Sequence, residues 1–120
     1  MAQQITLYGI PNCDTVKKTR TWFEKRQIPY VFHDYKKGGV DKDTLEMWVL
    51  EKGWEPLLNK KSTTFRELPK PLKEDMDGDK AIALMNAHPT LIKRPVVTDG
   101  DEILIGYDST GYEKMTGIHD

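Results

Sequence analysis

Short apolar runs alternate with amphipathic ones along this chain, and the alternation predicts the order of its elements. Ile5 and Leu7 point inward from a strand over residues 4–8, which runs into Gly9-Ile10-Pro11. Val16, Thr19 and Phe23 then recur at helical spacing, predicting a helix from Asp14 to Gln27 that Ile28-Pro29 ends. Tyr30–Asp34 is the next strand. A strand, a helix and a strand in succession imply a right-handed parallel βαβ unit.

The middle of the chain is less regular. Lys36-Lys37-Gly38-Gly39 reads as a loop, and Asp41 as the cap of a helix through Lys52, with Leu45, Trp48 and Val49 at i, i+3 and i+4. Gly53 and Pro56 end that helix. From Leu57 to Asp79 the pattern weakens, and Pro69 and Pro71 forbid a long helix. Asp79–Ala87 is helical again, with Ala81, Leu84 and Met85 facing in. Residues 95–98 and 102–105 flank Asp99-Gly100-Asp101, a hairpin signal, and a closing helix is expected over 109–117 with Ser109 as cap. The order is that of an α/β, thioredoxin-like fold. One domain over residues 1–120 would hold a four-stranded mixed sheet of order 2-1-3-4, with a helical insertion at about 40–88. In such a sheet the hairpin lies beside strand 1, and Arg94-Pro95 comes near Cys13.

Composition narrows the choice of chemistry. The chain has 120 residues, with 18 Lys plus Arg against 19 Asp plus Glu. A net charge of −1 gives no general pull toward nucleic acid or an anionic membrane. No stretch approaches the ~20 apolar residues of a membrane span. No apolar leader precedes Asp14, so the expected compartment is the cytoplasm, where thiols stay reduced. The one cysteine excludes an internal disulfide, a C-x-x-C pair and a multi-cysteine metal site.

That cysteine, Cys13, carries the main chemical signal. The Gly/Pro turn delivers Asn12 and Cys13 to a helix start, where unpaired N–H groups and a positive partial charge favour a thiolate. Lys17 lies one helical turn on, while the Asp14 carboxylate opposes the thiolate. The competing reading is a small buried hydrophobe, against which the polar neighbours Asn12 and Asp14 speak.

Arg94-Pro95 offers a second constellation. A cis bond there would turn Arg94 toward the thiol as an anion clamp; otherwise Arg94 is a solvated surface charge. Lys60, Lys61 and Arg66 form a basic run that is either a solvated loop or a supply of cations to the thiol pocket. Nothing pairs His33, His88 or His119 with Cys13, and Trp22, Trp48 and Trp54 are read as core or groove residues.

Three segments carry a resemblance: Tyr8-Gly9-Ile10-Pro11-Asn12-Cys13-Asp14-Thr15-Val16-Lys17-Lys18, the run from Leu57 to Leu68, and His88 to Val97. Through them the chain resembles the arsenate reductase (ArsC)/Spx family of thioredoxin-like proteins, and within it the short YffB branch. The resemblance implies a thiol oxidoreductase in which Cys13 is the catalytic cysteine, Arg94 a pocket arginine and Pro95 a cis-proline. Asn12, Lys17, Lys60 and Lys61 would bind substrate or thiol. No cofactor or metal is expected. With no second cysteine, an external thiol, glutathione or glutaredoxin, would resolve the intermediate. The substrate would be a small oxyanion or a disulfide. The chain departs from the arsenate reductases at two further arginines, where it has Asn59 or Lys60, and Gly106-Tyr107. The Spx side of the family implies a different role, binding RNA polymerase without catalysis. Spx regulators often carry C-x-x-C, and here the second position is Val16.

Overall fold

The computed structural model describes residues 4–118, so His119 lies outside the described residues. In chain order the elements are β1 (Thr6–Gly9), α1 (Asp14–Lys25), β2 (Val31–Asp34), α2 (Tyr35–Gly38), α3 (Lys42–Lys52), α4 (Thr63–Arg66), α5 (Lys70–Lys73), α6 (Gly78–Ala87), a 3₁₀ turn (Pro89–Leu91), β3 (Val96–Thr98), β4 (Ile103–Ile105) and α7 (Ser109–Thr116). They fall into two compact units. One takes the residues up to Asp34 and those from Arg94 onward; the other is the continuous segment Tyr35–Lys93. That segment contains the predicted insertion at about 40–88 and extends it on both sides.

The first unit holds the whole sheet, in the order β2-β1-β3-β4. β1 runs parallel to β2 and antiparallel to β3, and β3 is antiparallel to β4. This is the thioredoxin-like mixed sheet that the element order predicts. Its core joins Leu7 and Val97 from the strands, Val16, Trp22 and Phe23 from α1, and Tyr112 from α7. Thr19 is buried among them because its hydroxyl donates to the Thr15 carbonyl at 2.9 Å, leaving no polar group unsatisfied. α1 stops two residues before the predicted end. The N–H groups of Arg26, Gln27 and Ile28 turn back onto the carbonyls of Phe23 and Glu24, and Gln27 takes a positive φ of 56°.

Two further boundaries differ from expectation. Asp108, not Ser109, caps α7: its carboxylate accepts from the Gly111 N–H at 2.9 Å. Glu102 belongs to the hairpin turn, because the last strand pair is Thr98–Ile103 and Asp99 Oδ1 accepts from both Asp101 and Glu102 N–H.

In the second unit Asp41 caps α3 as expected, accepting from the Thr44 N–H at 2.9 Å, and Gly53 ends it at a φ of 83°. Leu45 and Trp48 are buried, and α3 packs on α6. α6 begins at Gly78 under an Asp77 cap, one residue earlier than expected. Within the weakly patterned stretch two short helices form. α4 is capped by Ser62, and α5 accommodates Pro71 in its first turn, where no backbone donor is required. Leu58 and Ile92 form an isolated antiparallel bridge, flanked by Asn59 N–H to Leu91 O at 2.8 Å and Lys93 N–H to Leu57 O at 2.7 Å.

Tyr112 ties α7 to the sheet. Its ring lies among Trp22, Phe23 and Tyr107, and its hydroxyl donates to the Gly106 carbonyl at 2.8 Å. Burial pushes its pKa up to about 12. The folded state therefore keeps this proton where the unfolded chain, titrating near 10, has released it. The associated stability is complete below pH 10 and declines as pH rises from about 10 to about 12. Tyr112→Phe is expected to lose about 1 kcal/mol at neutral pH by urea unfolding, and to show a shallower loss of stability than the wild type between pH 10 and 12.

Candidate functional site

The site begins with a packing constraint at the end of β1. A Cβ on Gly9 would lie 2.7 Å from Cγ2 of Val16, so the first turn of α1 rests directly on the strand's backbone. Ile10 is buried and anchors the connection, while Pro11 and Asn12 are exposed. Cys13 follows as the N-cap of α1, in extended conformation (φ −145°, ψ 124°), and its carbonyl accepts from the Lys17 N–H at 2.9 Å. Cap positions usually carry a side-chain oxygen that accepts from the first-turn N–H groups. Here the side chain is a thiol and makes no capping bond. Cys13 is half-buried and packs against the apolar core. Lys17 and Asp14 both point outward from the first turn.

The strand register brings the second constellation to the same end of the sheet. Gly9 pairs with Asp34 of β2. The β1–β3 register, Tyr8 with Val96, sets Pro95 level with Gly9. The β3–β4 register, Val96 with Ile105, sets Gly106 level with Pro95, and the Gly106 N–H donates to the Pro95 carbonyl at 2.8 Å. Arg94-Pro95 is a cis peptide bond, as the family resemblance implies. Pro95 is buried; Arg94 is half-buried, with its Nε inside. Asn12, Cys13, Lys17, Arg94 and Pro95 thus belong to one unit, around the edge where β1 ends and β3 begins.

Lys60 and Lys61 belong to the second unit, where both are exposed and Lys60 Nζ lies 5.3 Å from the Trp54 ring centre. His33 packs against Tyr8, the rings tilted by 47° with their centres 4.8 Å apart, and His88 is exposed at the end of α6. Among the described residues no group of three His, Cys, Asp or Glu side chains could hold a metal ion, and no helix is long and apolar enough to cross a membrane.

The structure adds a pair that the sequence reading does not contain. Lys18 Nζ lies 4.3 Å over the ring of Tyr107, and that ring meets Tyr112 edge-on at 5.8 Å. Tyr107 directly follows Gly106, so the pair braces α1 against the chain leaving β4. Only the strand register brings residues 18 and 107 together; no local pattern signals it.

A mixed sheet of order β2-β1-β3-β4, with α1 joining its parallel pair and the one cysteine at the cap of that helix, defines a thioredoxin-like protein. The ArsC family pattern matches residues 8–115. The chain belongs to the ArsC family. A solved structure of a YFFB protein is 46% identical, with a TM-score of 0.90, over 93% of this chain and 98% of that one. An arsenate reductase (ArsC) related protein from Brucella melitensis is 42% identical, with a TM-score of 0.73, over 98% of each chain. The global transcriptional regulator Spx of Bacillus subtilis is 28% identical over 87% of this chain and 80% of its own length.

Gly9→Ala tests the packing that places the thiol. The added methyl must displace Val16, at a cost of about 1–3 kcal/mol. A fall in the urea midpoint of that size is expected, together with a changed rate of Cys13 alkylation in the folded protein. A fully stable Gly9→Ala variant would show that α1 can move away without penalty.

Proposed function

We propose that this protein is a cytoplasmic thiol oxidoreductase of arsenate reductase type, resolved by glutathione or by glutaredoxin. The observation that carries the reading is the cap at Cys13, where the thiol sits at a helix N-terminus without being consumed by the cap. The first-turn N–H groups and the positive end of the helix dipole can meet negative charge on an approaching group. Arg94 stabilises negative charge on an oxyanion or a departing thiolate, Lys17 adds a mobile charge, and Asn12 and Pro95 border the approach.

For a disulfide substrate R–S–S–R, the Cys13 thiolate attacks one sulfur and expels R–S⁻. A Cys13–S–S–R mixed disulfide results. A glutathione thiolate then attacks the outer sulfur, returning Cys13 as thiolate and releasing G–S–S–R. A second glutathione reduces that product, so two glutathiones are oxidised for each R–S–S–R reduced. Arsenate is the alternative substrate, supported by the similarity to an arsenate reductase related structure.

Incubation with oxidised glutathione is expected to add one glutathione to the intact mass, with none on Cys13→Ser and full release by added thiol. Arg94→Ala should slow turnover of a small disulfide at least about tenfold, equivalent to about 1.4 kcal/mol. Lys17→Ala should cost less than about threefold, as befits an exposed charge near a helix end. A native protein that resists oxidised glutathione, but reacts once unfolded, would return Cys13 to the core and end the reading.

The similarity to Spx regulators supports a second reading, an adaptor that binds RNA polymerase. Stoichiometric recovery of polymerase subunits by both wild type and Cys13→Ser would favour it. Recovery of none leaves the enzyme.

A further inference from the structure

Tyr107 is half-buried and held from separate elements. Lys18 of α1 sets its ammonium 4.3 Å from the ring centre. Tyr112 of α7 meets the ring at 83°, with the centres 5.8 Å apart. The Tyr107 backbone continues directly from Gly106, the residue after β4. Gly106 has little else to steady it. Beyond its chain neighbours, no heavy atom lies within 4 Å of the place a Cβ would take, and its φ is 83°. A glycine there offers no torsional resistance of its own. Its position is set by its hydrogen bonds and by the residue that follows. The Gly106 N–H donates to the Pro95 carbonyl, and the Gly106 carbonyl accepts from the Tyr112 hydroxyl, each at 2.8 Å.

Tyr107 therefore couples two parts of the first unit. One is α1, which carries Cys13 at its cap; the other is the strand edge on which Arg94-Pro95 stands. We propose that Tyr107 is a positioning residue for the thiol chemistry: pinned by Lys18, it holds the Gly106–Pro95 edge at a fixed offset from α1, and so keeps Arg94 where it can meet negative charge arriving at Cys13. Tyr107 acts through that backbone and not on the substrate. The inference rests on the roles proposed for Cys13 and Arg94, and adds the residue that ties them together.

Alkylating reagents of different charge test it. Iodoacetate is an anion and iodoacetamide is neutral. Both react with the same Cys13 thiolate, so the ratio of their rates on one sample is independent of the thiolate fraction. Arg94→Ala is expected to lower the iodoacetate-to-iodoacetamide ratio. If it does not, the reading of Arg94 fails, and the positioning of Arg94 with it. Tyr107→Leu removes the ring but keeps apolar bulk, and should lower the ratio about threefold, the scale of one exposed cation–π contact. Tyr107→Phe keeps a ring for Lys18 and should match the wild type. In an Arg94→Ala background, Tyr107→Leu should change the ratio no further. An unchanged ratio in Tyr107→Leu, beside a lowered one in Arg94→Ala, would overturn the proposal and leave the reading of Arg94 intact. A further fall in the Arg94→Ala background, or a loss in Tyr107→Phe as large as in Tyr107→Leu, would overturn it too. Should Tyr107→Leu fail to fold, Lys18→Met breaks the same contact from an exposed position. The part of its effect that disappears in the Arg94→Ala background is the positioning part, again about threefold; absence of that part would overturn the proposal.

Discussion

Val16 rests on the backbone of Gly9 at a distance that leaves no room for a side chain, and the first unit is arranged around that contact. It fixes how closely α1 approaches the sheet. The connection between them is then short, Ile10 to Asn12, with one buried anchor. Cys13 is the residue left at the cap of α1. A residue with a side-chain oxygen would have taken up one of the first-turn N–H groups. A thiol leaves that field available to its own sulfur, or to whatever approaches it.

The same end of the sheet is held from the opposite direction by Tyr112. Its hydroxyl holds the Gly106 carbonyl, and the Gly106 N–H holds the Pro95 carbonyl. A buried aromatic core and two hydrogen bonds thus set the strand edge from which Arg94 departs. Cys13 and the Arg94-Pro95 backbone are held by different parts of one core, α1 for the first and α7 with the hairpin for the second. The geometry of this end of the sheet depends on residues far outside any recognisable motif.

Much of this was legible in the residues. The Gly/Pro turn before Cys13, the Asp41 cap, the Gly53 stop and the paired runs around Asp99-Gly100 all act through neighbours in sequence, so their reading needs no tertiary knowledge. The sheet order followed from the element order, which is that of a thioredoxin-like fold. Caps were misjudged where two candidates stood side by side. Asp108 and Ser109 can both accept, and only the approach of the Gly111 N–H decides between them. The helix after Pro69 was missed because proline ends helices more often than it begins them, although its first-turn position is permitted. The Lys18–Tyr107 brace and the Leu58–Ile92 bridge arise from pairing across long separations, which no local window contains.

The route by which the chain leaves and rejoins the sheet has its own consequence. Tyr35, at the start of the inserted segment, donates its hydroxyl to the carbonyl of Lys93, at its end, 3.3 Å away and 58 positions later in sequence. Seen from β2 and β3, the whole excursion is a loop whose two feet already touch. Closing a longer loop costs only about 0.6 kcal/mol per doubling of its length, and here the feet are fastened by the segment's own atoms. Insertions, deletions or replacement of what lies between need not disturb strand register. Such a segment can vary like a cassette, acquiring new clefts and surfaces while the cysteine end of the sheet stays unchanged.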